Sequence, residues 1–459
     1  MRSAAVKAIS RIWKNNKKTI GKLLLCMAGM LVAGLILMIG VYMLPTGRMK
    51  GHVANSADTF NYEGEYPEII QGYRNSILDN YTDALMYATA IHPGTGDVVQ
   101  DAMRNRRYED SGSNLAQSLN DYANDVAGKE AVRYEMEYPR YWHGYLVILK
   151  PLLLFFDIGE IRMFNMVIQG ALLLLLLYLA DKKVGGRSLI PLGMMLAVLN
   201  PVVLPLSLQY SWVYYIALIS ADILLCMKDP FRNKKYLFLF LAAGAATSYM
   251  DLLTYPLITL GLPAVCLFLL ERERRWQTRL LRAVEVTALW GIGYGVMWFG
   301  KWVFAWLFGV SSMFADAFGE IGIRLSSTGE AEEALNAGMV LVRNIGVIVK
   351  WPYILMLLMF FGICGYLYYK NRRNHFRKER LLYSLPYGVM ILLPVVWLAI
   401  LSNHSWVHSR YTYRELAVTV LAGSAMILKL WIPGDPAEKE RQEQIGAEFL
   451  GDNGNEHKD

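Results

Sequence analysis

Long apolar runs separated by short basic segments dominate the hydrophobic pattern of this chain. The first run covers Leu23–Leu44, and further runs follow between residues 162 and 432. Runs of about 18–25 apolar residues match the roughly 30 Å hydrocarbon core of a bilayer when they form helices. Lipid offers no partner to backbone polar groups, so such runs must satisfy their hydrogen bonds internally. The pattern predicts an all-α, polytopic membrane protein with about ten transmembrane helices.

The nine spans after the first are placed to within a few residues from the edges of the apolar runs. They are predicted at Met163–Ala180, Leu189–Leu206, Trp212–Met227, Tyr236–Tyr249, Leu252–Leu270, Ala283–Phe304, Val347–Tyr369, Leu381–Leu401 and Leu416–Trp431. A shorter apolar piece, Leu146–Phe156, is interrupted by Lys150-Pro151 and is predicted to be interfacial or re-entrant.

The distribution of Lys and Arg sets the predicted orientation. A net charge of +7 and a pI near 9.0 are compatible with nucleic-acid binding, but the basic residues cluster in short segments between spans. With ten spans, every strongly basic segment falls on the side of the basic N-terminus, residues 1–22. Both termini are therefore predicted to be cytoplasmic, and the tail, residues 433–459, to be disordered. No nucleic-acid partner is expected.

Two long polar segments then face outward. The first, residues 45–161, follows the first span directly, and the second lies near residues 309–343. In the first, Ile69, Ile70, Tyr73 and Ile77 recur at helical spacing, which predicts short amphipathic helices at the membrane surface. A structureless loop of this length is uncommon without a function. The sequence therefore places candidate chemistry in this segment.

Asp79 and Asp83 lie in the stretch Leu-Asp-Asn-Tyr-Thr-Asp-Ala, residues 78–84. At a spacing of i, i+4 they share one face of a helix. Such a pair can supply a general base and a group that positions an acceptor hydroxyl, or simply form a solvated helix face. Asp58, Glu63 and Glu65 are competing carboxylates nearer the first span.

Arg140, Trp142 and His143 form a second candidate group. A guanidinium suits phosphate because of its forked donors, and an imidazole can move a proton. The competing interpretation is an aromatic belt at the membrane interface with one anchoring arginine.

Asp251 lies between the fifth and sixth predicted spans. An ionisable residue at the membrane boundary is costly to bury without a partner, so it is a functional candidate. It can equally cap the sixth span.

The last outer turn, Ser402–Arg414, holds the remaining candidates, His404, His408, Arg410 and Arg414. Two arginines at i, i+4 with interleaved tyrosines suit an anionic ligand such as a lipid-linked phosphate. No Glu follows the first histidine, which excludes HExxH chemistry. The four cysteines lie inside apolar runs without metal-ligand spacing. Neither a metal nor a cofactor is predicted.

Several motifs together carry a resemblance to a known family. They are residues 78–84, Tyr-Trp-His-Gly-Tyr at 141–145, Asp-Leu-Leu-Thr-Tyr-Pro at 251–256, the spaced aromatic, Pro, Gly and Arg positions from Trp142 to Arg162, and residues 402–408 with Tyr-Thr-Tyr-Arg at 411–414. The chain resembles the GT-C superfamily of integral-membrane glycosyltransferases, in a bacterial, Firmicutes-type branch. The resemblance covers nearly the whole membrane region, and its motifs are individually loose.

The resemblance implies transfer of a sugar from a polyprenyl-phosphate donor to a cell-surface glycan acceptor. It implies a base in the first outer loop, carried over to Asp79 or Asp83, and Arg140, Arg410 and Arg414 on the phosphate. Trp142, His143, Asp251, His404 and His408 are further substrate-binding candidates. In many such enzymes the acidic residue lies closer to the first span, which leaves Asp58, Glu63 and Glu65 open.

Other functions stay open from the sequence. A transporter or flippase of lipid-linked saccharides would also be polytopic, although no half-to-half repeat is visible. A polymerase or ligase of surface polysaccharide would use similar outer arginines. A structural partner without catalytic activity is a further alternative.

Overall fold

Helices make up nearly all of the fold. A computed structural model describes residues 2–111, 114–125, 133–271, 273, 275–329, 334–370 and 378–431. The fold is 78% helical, and its two strands form a single antiparallel ribbon. The predicted disordered tail and the acidic residues near 330–333 lie outside the described residues.

The first part of the chain contains one long helix followed by short elements. These are α1 (Arg2–Tyr42), α2 (Lys50–Glu63), α3 (Asn80–Ile91), α4 (Val98–Arg104), β1 (Arg107–Asp110), α5 (Leu115–Ala123), β2 (Arg133–Met136) and α6 (Leu146–Leu153). We call the described residues between 45 and 145 the polar module.

The second part of the chain is a helical bundle. Its helices are α7 (Ile158–Val184), α8 (Leu189–Leu199), α9 (Leu208–Cys226), α10 (Lys235–Met250), α11 (Ile258–Leu270), α12 (Trp276–Leu307), α13 (Met313–Leu325), α14 (Ala337–Ile348), α15 (Trp351–Lys370), α16 (Lys378–Tyr383), α17 (Leu385–Ile400), α18 (Ser402–Val407), α19 (Ser409–Thr412) and α20 (Leu416–Trp431).

In the part of the chain that the structure describes, six helical segments are long and apolar enough to cross a membrane, which indicates a multi-pass membrane protein. They are Lys17–Tyr42, Ile158–Val184, Leu208–Cys226, Trp276–Leu307, Trp351–Lys370 and Arg380–Ile400. Each coincides with one of the predicted spans. The coarse prediction of a polytopic helical membrane protein is therefore confirmed.

The other four predicted spans are helical but short, so the count of ten stays a prediction. They correspond to α8, α10, α11 and α20, which have 11, 16, 13 and 16 residues. Helix α8 ends at Asn200, which adopts a left-handed conformation before Pro201. Helix α11 starts late because residues 251–257 are irregular, with Leu253 at a φ of 66°.

Helices α10 and α12 pack in close contact inside the bundle. A Cβ on Gly244 would lie 2.0 Å from the Trp290 carbonyl oxygen, and one on Gly293 would lie 2.1 Å from that of Leu241. Small residues of this kind let two helix backbones approach inside a membrane. Any larger side chain at either glycine would force the helices apart.

The polar module packs on the bundle through a second hydrophobic core, which also contains side chains of α1, α9, α10 and α12, such as Trp212 and Met297. Two buried lysines join the module to the bundle. Lys150 of α6 donates to the Ala90 carbonyl oxygen at 2.7 Å, near the end of α3. Lys301 of α12 donates to the carbonyl oxygens of Ala102 and Met103 at 3.0 Å, near the end of α4. The carbonyls at a helix C-terminus lack partners within the helix, and a cation suits that end of its dipole.

One local prediction is wrong. The residues Ile69, Ile70, Tyr73 and Ile77 were expected to form an amphipathic helix, yet residues 64–79 are turns with a short 3-10 segment. Gly72 has a φ of 79°, and Glu68 and Ile77 form an antiparallel bridge. A left-handed glycine interrupts a helix, so the apolar spacing in this segment has no helical meaning.

Candidate functional site

Asp79 marks the start of α3, where the irregular segment of the polar module becomes helical. Its Oδ1 accepts a hydrogen bond from the Thr82 backbone N–H at 3.0 Å, which is the geometry of a helix N-cap. The residue is fully buried. One carboxylate oxygen is therefore fixed by the helix, and the other, Oδ2, points elsewhere.

The second oxygen of Asp79 faces Arg410 from the last predicted outer turn. Arg410 Nε lies 3.7 Å from Asp79 Oδ2, which is an ion pair without a well-formed hydrogen bond. Burial raises the pKa of Asp79, while the Arg410 charge and the Thr82 N–H oppose that rise. The carboxylate is thus held in a dry environment with its charge only partly compensated.

Tyrosines surround this ion pair. The guanidinium of Arg410 stacks 4.0 Å from the ring centre of Tyr66 and donates from Nη2 to the Tyr66 hydroxyl at 3.3 Å. The charge of Asp79 also acts on the hydroxyls of Tyr210 and Tyr411. Burial raises the pKa of Tyr66, and Asp79 adds to that rise. The site is therefore a buried ion pair surrounded by tyrosine side chains.

Asp83 lies one turn further along α3 but has a different set of partners. Its carboxylate accepts from the backbone N–H groups of Leu208 and Gln209 at 2.8 and 2.9 Å and from Ser207 Oγ at 3.3 Å. These groups form the start of α9, so Asp83 caps that helix from a distance. Burial raises its pKa to about 7. The two aspartates predicted to act together thus face different helices.

Of the competing carboxylates, Glu63 has the most complete set of partners. It accepts from both terminal nitrogens of Arg162 at 2.6 and 2.9 Å, and Asn80 Nδ2 donates to it at 2.9 Å. Arg162 Nε is bound to the Leu206 carbonyl oxygen at 2.7 Å. Asp58 accepts from Asn120 Nδ2 at 2.5 Å. Among the described residues, no ion pair joins Glu63, Glu65 or Asp58 to Arg410.

His404 ties the last turn to α13 through Arg324. A carbonyl oxygen can only accept, so His404 Nε2 donates to Leu253 O at 2.8 Å, and its Nδ1 accepts from Arg324 Nη1 at 2.6 Å. Burial lowers the pKa of His404, and the charges of His408 and Arg324 add to this. The ring is therefore a neutral imidazole that positions a guanidinium.

His408 lies near Arg324 and Arg410, whose charges act on its ring. Its ring stacks on Tyr411 with a centroid distance of 5.2 Å and lies 4.8 Å from that of His404. Burial lowers its pKa to about 3, and the charges of Arg410 and Arg324 contribute. Both cations act on Tyr411 as well. Arg410 lies 5.9 Å from the Tyr411 ring centre, and Arg324 binds His404 next to His408. Two cations therefore border the neutral His408–Tyr411 stack, which suits an anionic ligand.

Arg140 and Arg414 are held by other protein groups, and Arg140 Nε, like Arg324 Nε, is buried without a partner among the described residues. Arg140 Nη1 donates to Asp316 Oδ1 at 2.8 Å, and its Nη2 lies 3.6 Å from Glu320, so it fastens α13 to the polar module. Arg414 is fully buried against the Tyr210 ring and donates to the carbonyl oxygens of Leu199, Arg410 and Asn75. The structure does not bring either guanidinium onto Asp79.

Trp142 and His143 are core residues of the junction between module and bundle. Trp142 is fully buried, and its Nε1 donates to the Met297 carbonyl oxygen at 2.7 Å. His143 Nε2 donates to Tyr138 O at 3.0 Å, and its Nδ1 accepts from the Tyr145 hydroxyl at 2.8 Å. Burial lowers the pKa of His143 well below its usual value. Both side chains are bound to protein groups and not aimed at Asp79.

Asp251 stabilises its own turn. It accepts from the Thr254 backbone N–H at 3.0 Å and from Thr254 Oγ1 at 2.5 Å, and burial raises its pKa to about 6. The start of α11 is capped by another carboxylate, since Glu415 accepts from Leu257 N at 3.1 Å. Asp251 therefore supports the carbonyl of Leu253, which holds His404.

Several polar atoms of the residues described above are buried without a protein partner. Within the described residues they include Asp79 Oδ2, Arg410 Nε, Arg324 Nε, His408 Nδ1, Tyr210 OH and Arg140 Nε. Buried polar groups are almost always hydrogen-bonded, so each exception needs an explanation. A polar ligand reaching Asp79 Oδ2 and Arg410 Nε would satisfy both at once. In the same described part of the chain, no cluster of three His, Cys, Asp or Glu side chains could hold a metal ion.

Sequence reasoning missed three members of the site. Arg324 lies in the second predicted outer segment among several charged residues, and Tyr66 lies in the irregular segment of the module. Tyr411 lies in a motif that was noted for its arginines. Each is brought to the site by contacts between distant segments, and the only local signal was a charge inside the amphipathic helix α13.

Comparison with protein-family models, with curated proteins and with solved structures gave no match for this chain. The function of the site therefore follows from its own residues and their geometry.

Proposed function

We propose that this protein is a GT-C type membrane glycosyltransferase that moves a sugar from a polyprenyl-phosphate donor to a cell-surface glycan acceptor. In this proposal ten spans place both termini in the cytoplasm and the polar module, α13, α14 and the last turn outside a bacterial plasma membrane. The lipid donor enters from the outer leaflet, and the acceptor enters from the aqueous side.

One observation carries the proposal. A fully buried carboxylate, Asp79, lies 3.7 Å from Arg410, and both atoms at that contact are buried without a hydrogen-bond partner among the described residues. A structural ion pair at this depth would normally close its hydrogen bonds, because unpaired buried charge is costly. A base and a cation held apart at short range fit a reaction in which a proton is taken and an anion is released.

In the proposed reaction the acceptor hydroxyl oxygen attacks the anomeric carbon of the donor sugar. A new carbon–oxygen bond forms, the bond from that carbon to the phosphate oxygen breaks, and its electron pair leaves with the polyprenyl phosphate. The hydroxyl proton passes to Asp79. Arg410 keeps Asp79 ionised before the reaction and lies beside the negative charge that develops on the leaving phosphate.

Arg324 is the second cation assigned to the phosphate. His404 and Glu320 hold it, with Glu320 Oε1 at 3.1 Å from Nη2, and its Nε is buried without a partner among the described residues. We assign it the role expected of Arg140 and Arg414 because it binds His404, whose ring lies 4.8 Å from that of His408. Arg140 pairs instead with Asp316 and Glu320, and Arg414 donates to backbone carbonyl oxygens. The donor phosphate would lie between Arg324 and Arg410, against His408.

The test is transfer of labelled sugar from extracted polyprenyl-phosphate sugars by the purified protein in liposomes. Asp79→Asn should lower the transfer rate by about 10²–10⁴-fold, because an amide cannot take the proton. Asp58→Asn is the matched control, since Asp58 lies on the same module and faces Asn120; it should stay within about twofold of wild type.

Three results would contradict the proposal in different ways. Full activity of Asp79→Asn removes the base assignment. Loss of activity in Asp58→Asn moves the base toward the first span. Absence of transfer by wild type over a broad donor panel, with saccharide-lipid movement across the liposome, favours a transporter.

A further inference from the structure

The ribbon of the polar module has two chemically different faces. Directly opposed residues are Arg107 with Met136 and Glu109 with Tyr134, and these four share one face because side chains alternate along a strand. We call this set the ribbon face. The opposite face carries Tyr108, whose ring lies 5.0 Å from Tyr122 in the module core. One side of the ribbon therefore packs on the core, and on the other side Tyr134 and Met136 are exposed while Arg107 is buried.

The ribbon face is directed toward Asp79 through tyrosines. The rings of Tyr66 and Tyr81 are 6.0 Å apart, and Tyr66 is the residue on which Arg410 stacks. Burial raises the pKa of Tyr81, and the nearby charge of Glu109 raises it further. Helix α3, which carries Tyr81, packs against β1, which carries Glu109. A row of residues thus runs from Arg410 through Tyr66 and Tyr81 to Glu109 and Tyr134.

Two tyrosine rings of this row are partly exposed, and the hydroxyl of Tyr134 is held by a hydrogen bond. Tyr81 and Tyr134 are 36% and 43% exposed. The Tyr134 hydroxyl donates to Glu109 Oε2 at 3.1 Å, and Arg107 Nε donates to Glu109 Oε1 at 2.6 Å. Each carboxylate oxygen retains a further lone pair for a hydroxyl donor. The Arg107–Glu109 pair cancels its own charge, so the face suits a neutral hydroxylated molecule.

We propose that the row formed by Tyr66, Tyr81, Glu109 and Tyr134 is the binding platform for the acceptor, and that the acceptor is a neutral saccharide chain. Sugar rings can pack their apolar C–H faces on aromatic rings and donate hydrogen bonds from their hydroxyls to the Glu109 carboxylate. The platform leads from the exposed ring of Tyr134 to Asp79, where the accepting hydroxyl must arrive. This inference rests on the proposed function for its direction, since it assigns the end of the chain at Asp79 to the reacting unit.

The test measures binding and transfer separately. Fluorescent neutral tetrasaccharides of different linkage are titrated against the protein in nanodiscs, in wild type, Tyr134→Leu and Glu109→Gln. We expect the Kd of the saccharide that binds wild type best to rise about tenfold in each variant, as one stacked ring or one charged hydrogen bond is lost. In transfer assays the same variants should raise the KM for the acceptor by a similar factor and the KM for the donor by much less.

Tyr62→Leu is the matched control, because Tyr62 lies on α2 of the same module and is 93% exposed. It should bind saccharide as wild type does, and size-exclusion profiles should match for all variants. Equal binding by wild type and Tyr134→Leu, or no binding of any tetrasaccharide by wild type, overturns the inference. Saccharide binding without sugar transfer leaves the platform intact and contradicts the proposed function instead.

Discussion

Glu63 and Asp79 each pair with an arginine, and the two pairs differ in how many hydrogen bonds they form. Glu63 and Arg162 meet through two hydrogen bonds of 2.6 and 2.9 Å, with Asn80 joining both. Asp79 and Arg410 meet only at 3.7 Å, and both atoms at that contact lack a hydrogen-bond partner among the described residues. The first pair holds α2, α3 and α7 together. The second leaves bonding capacity unused, which is what a ligand-binding pair requires.

We expect the number of satisfied hydrogen bonds to distinguish structural carboxylates from ligand-binding ones better than burial does. Asp79 and Asp83 are equally buried, yet Asp83 spends its oxygens on the start of α9. A carboxylate that accepts two or three backbone N–H bonds has little left for a substrate. Substitutions at Arg410, Arg162 and Asp83 test this distinction.

The largest effect is expected at Arg410. Arg410→Gln should lower sugar transfer by at least about 100-fold, because it removes the cation beside both Asp79 and the leaving phosphate. Thermal unfolding is measured in parallel, because Asp79 then stays buried without its cation and lost stability has to be separated from lost catalysis. The measurement is the transfer rate at saturating donor, with Arg410→Lys retaining part of the activity through its charge. Unaltered transfer by Arg410→Gln would assign the pair to structure.

The second effect is the mirror image at Arg162. Arg162→Gln should lower the free energy of unfolding by about 3 kcal/mol, because it leaves Glu63 half-buried without its cation. Denaturant titration in detergent micelles measures it. The double substitution Glu63→Gln with Arg162→Gln should recover part of that loss, since no unpaired charge remains. If the single variant is as stable as wild type, the closed pair is not a structural tie.

The third effect is a pH dependence of stability that arises at Asp83. Its pKa is about 7 in the folded protein and near 4 in an unfolded chain. Between these values the folded state holds a proton that the unfolded state releases, so stability falls as pH rises from about 4 to 7, by at most about 4 kcal/mol.

Asp83→Asn tests this dependence because the amide oxygen can still accept from the start of α9 but cannot titrate. The variant should flatten the slope of unfolding free energy against pH in that window. A slope equal to that of wild type would show that other groups, such as Asp79 with its raised pKa, account for the whole effect.

The sequence predicted the elements of this fold better than it predicted its contacts. Apolar runs of sufficient length form helices wherever they occur, because lipid leaves the backbone no other solution. Helix ends were harder: α8 and α11 are shortened at Asn200 and around Leu253, where single residues adopt left-handed conformations. Such conformations depend on tertiary packing that no window of sequence contains.

The candidate site was located but not resolved by its sequence. Asp79 and Arg410 were both singled out, yet nothing local indicates that they meet, because they lie far apart in the chain. The same holds for Tyr66, which contacts Arg410 across 344 residues. The spacing of Asp79 and Asp83 indicated a shared face, whereas the start of α9 draws one of them away. Pairings between distant helices decide which of several similar carboxylates stays available.

The two lysines that cap helices of the polar module have a consequence for biogenesis. Lys301 reaches Ala102 across 199 residues, and Lys150 reaches Ala90 across 60. During synthesis the module therefore emerges long before α12 exists to hold the end of α4. We expect the module to wait in a partly assembled state at the translocon, protected from proteolysis only once α12 has been inserted, so that Lys301→Met would delay maturation more than Lys150→Met.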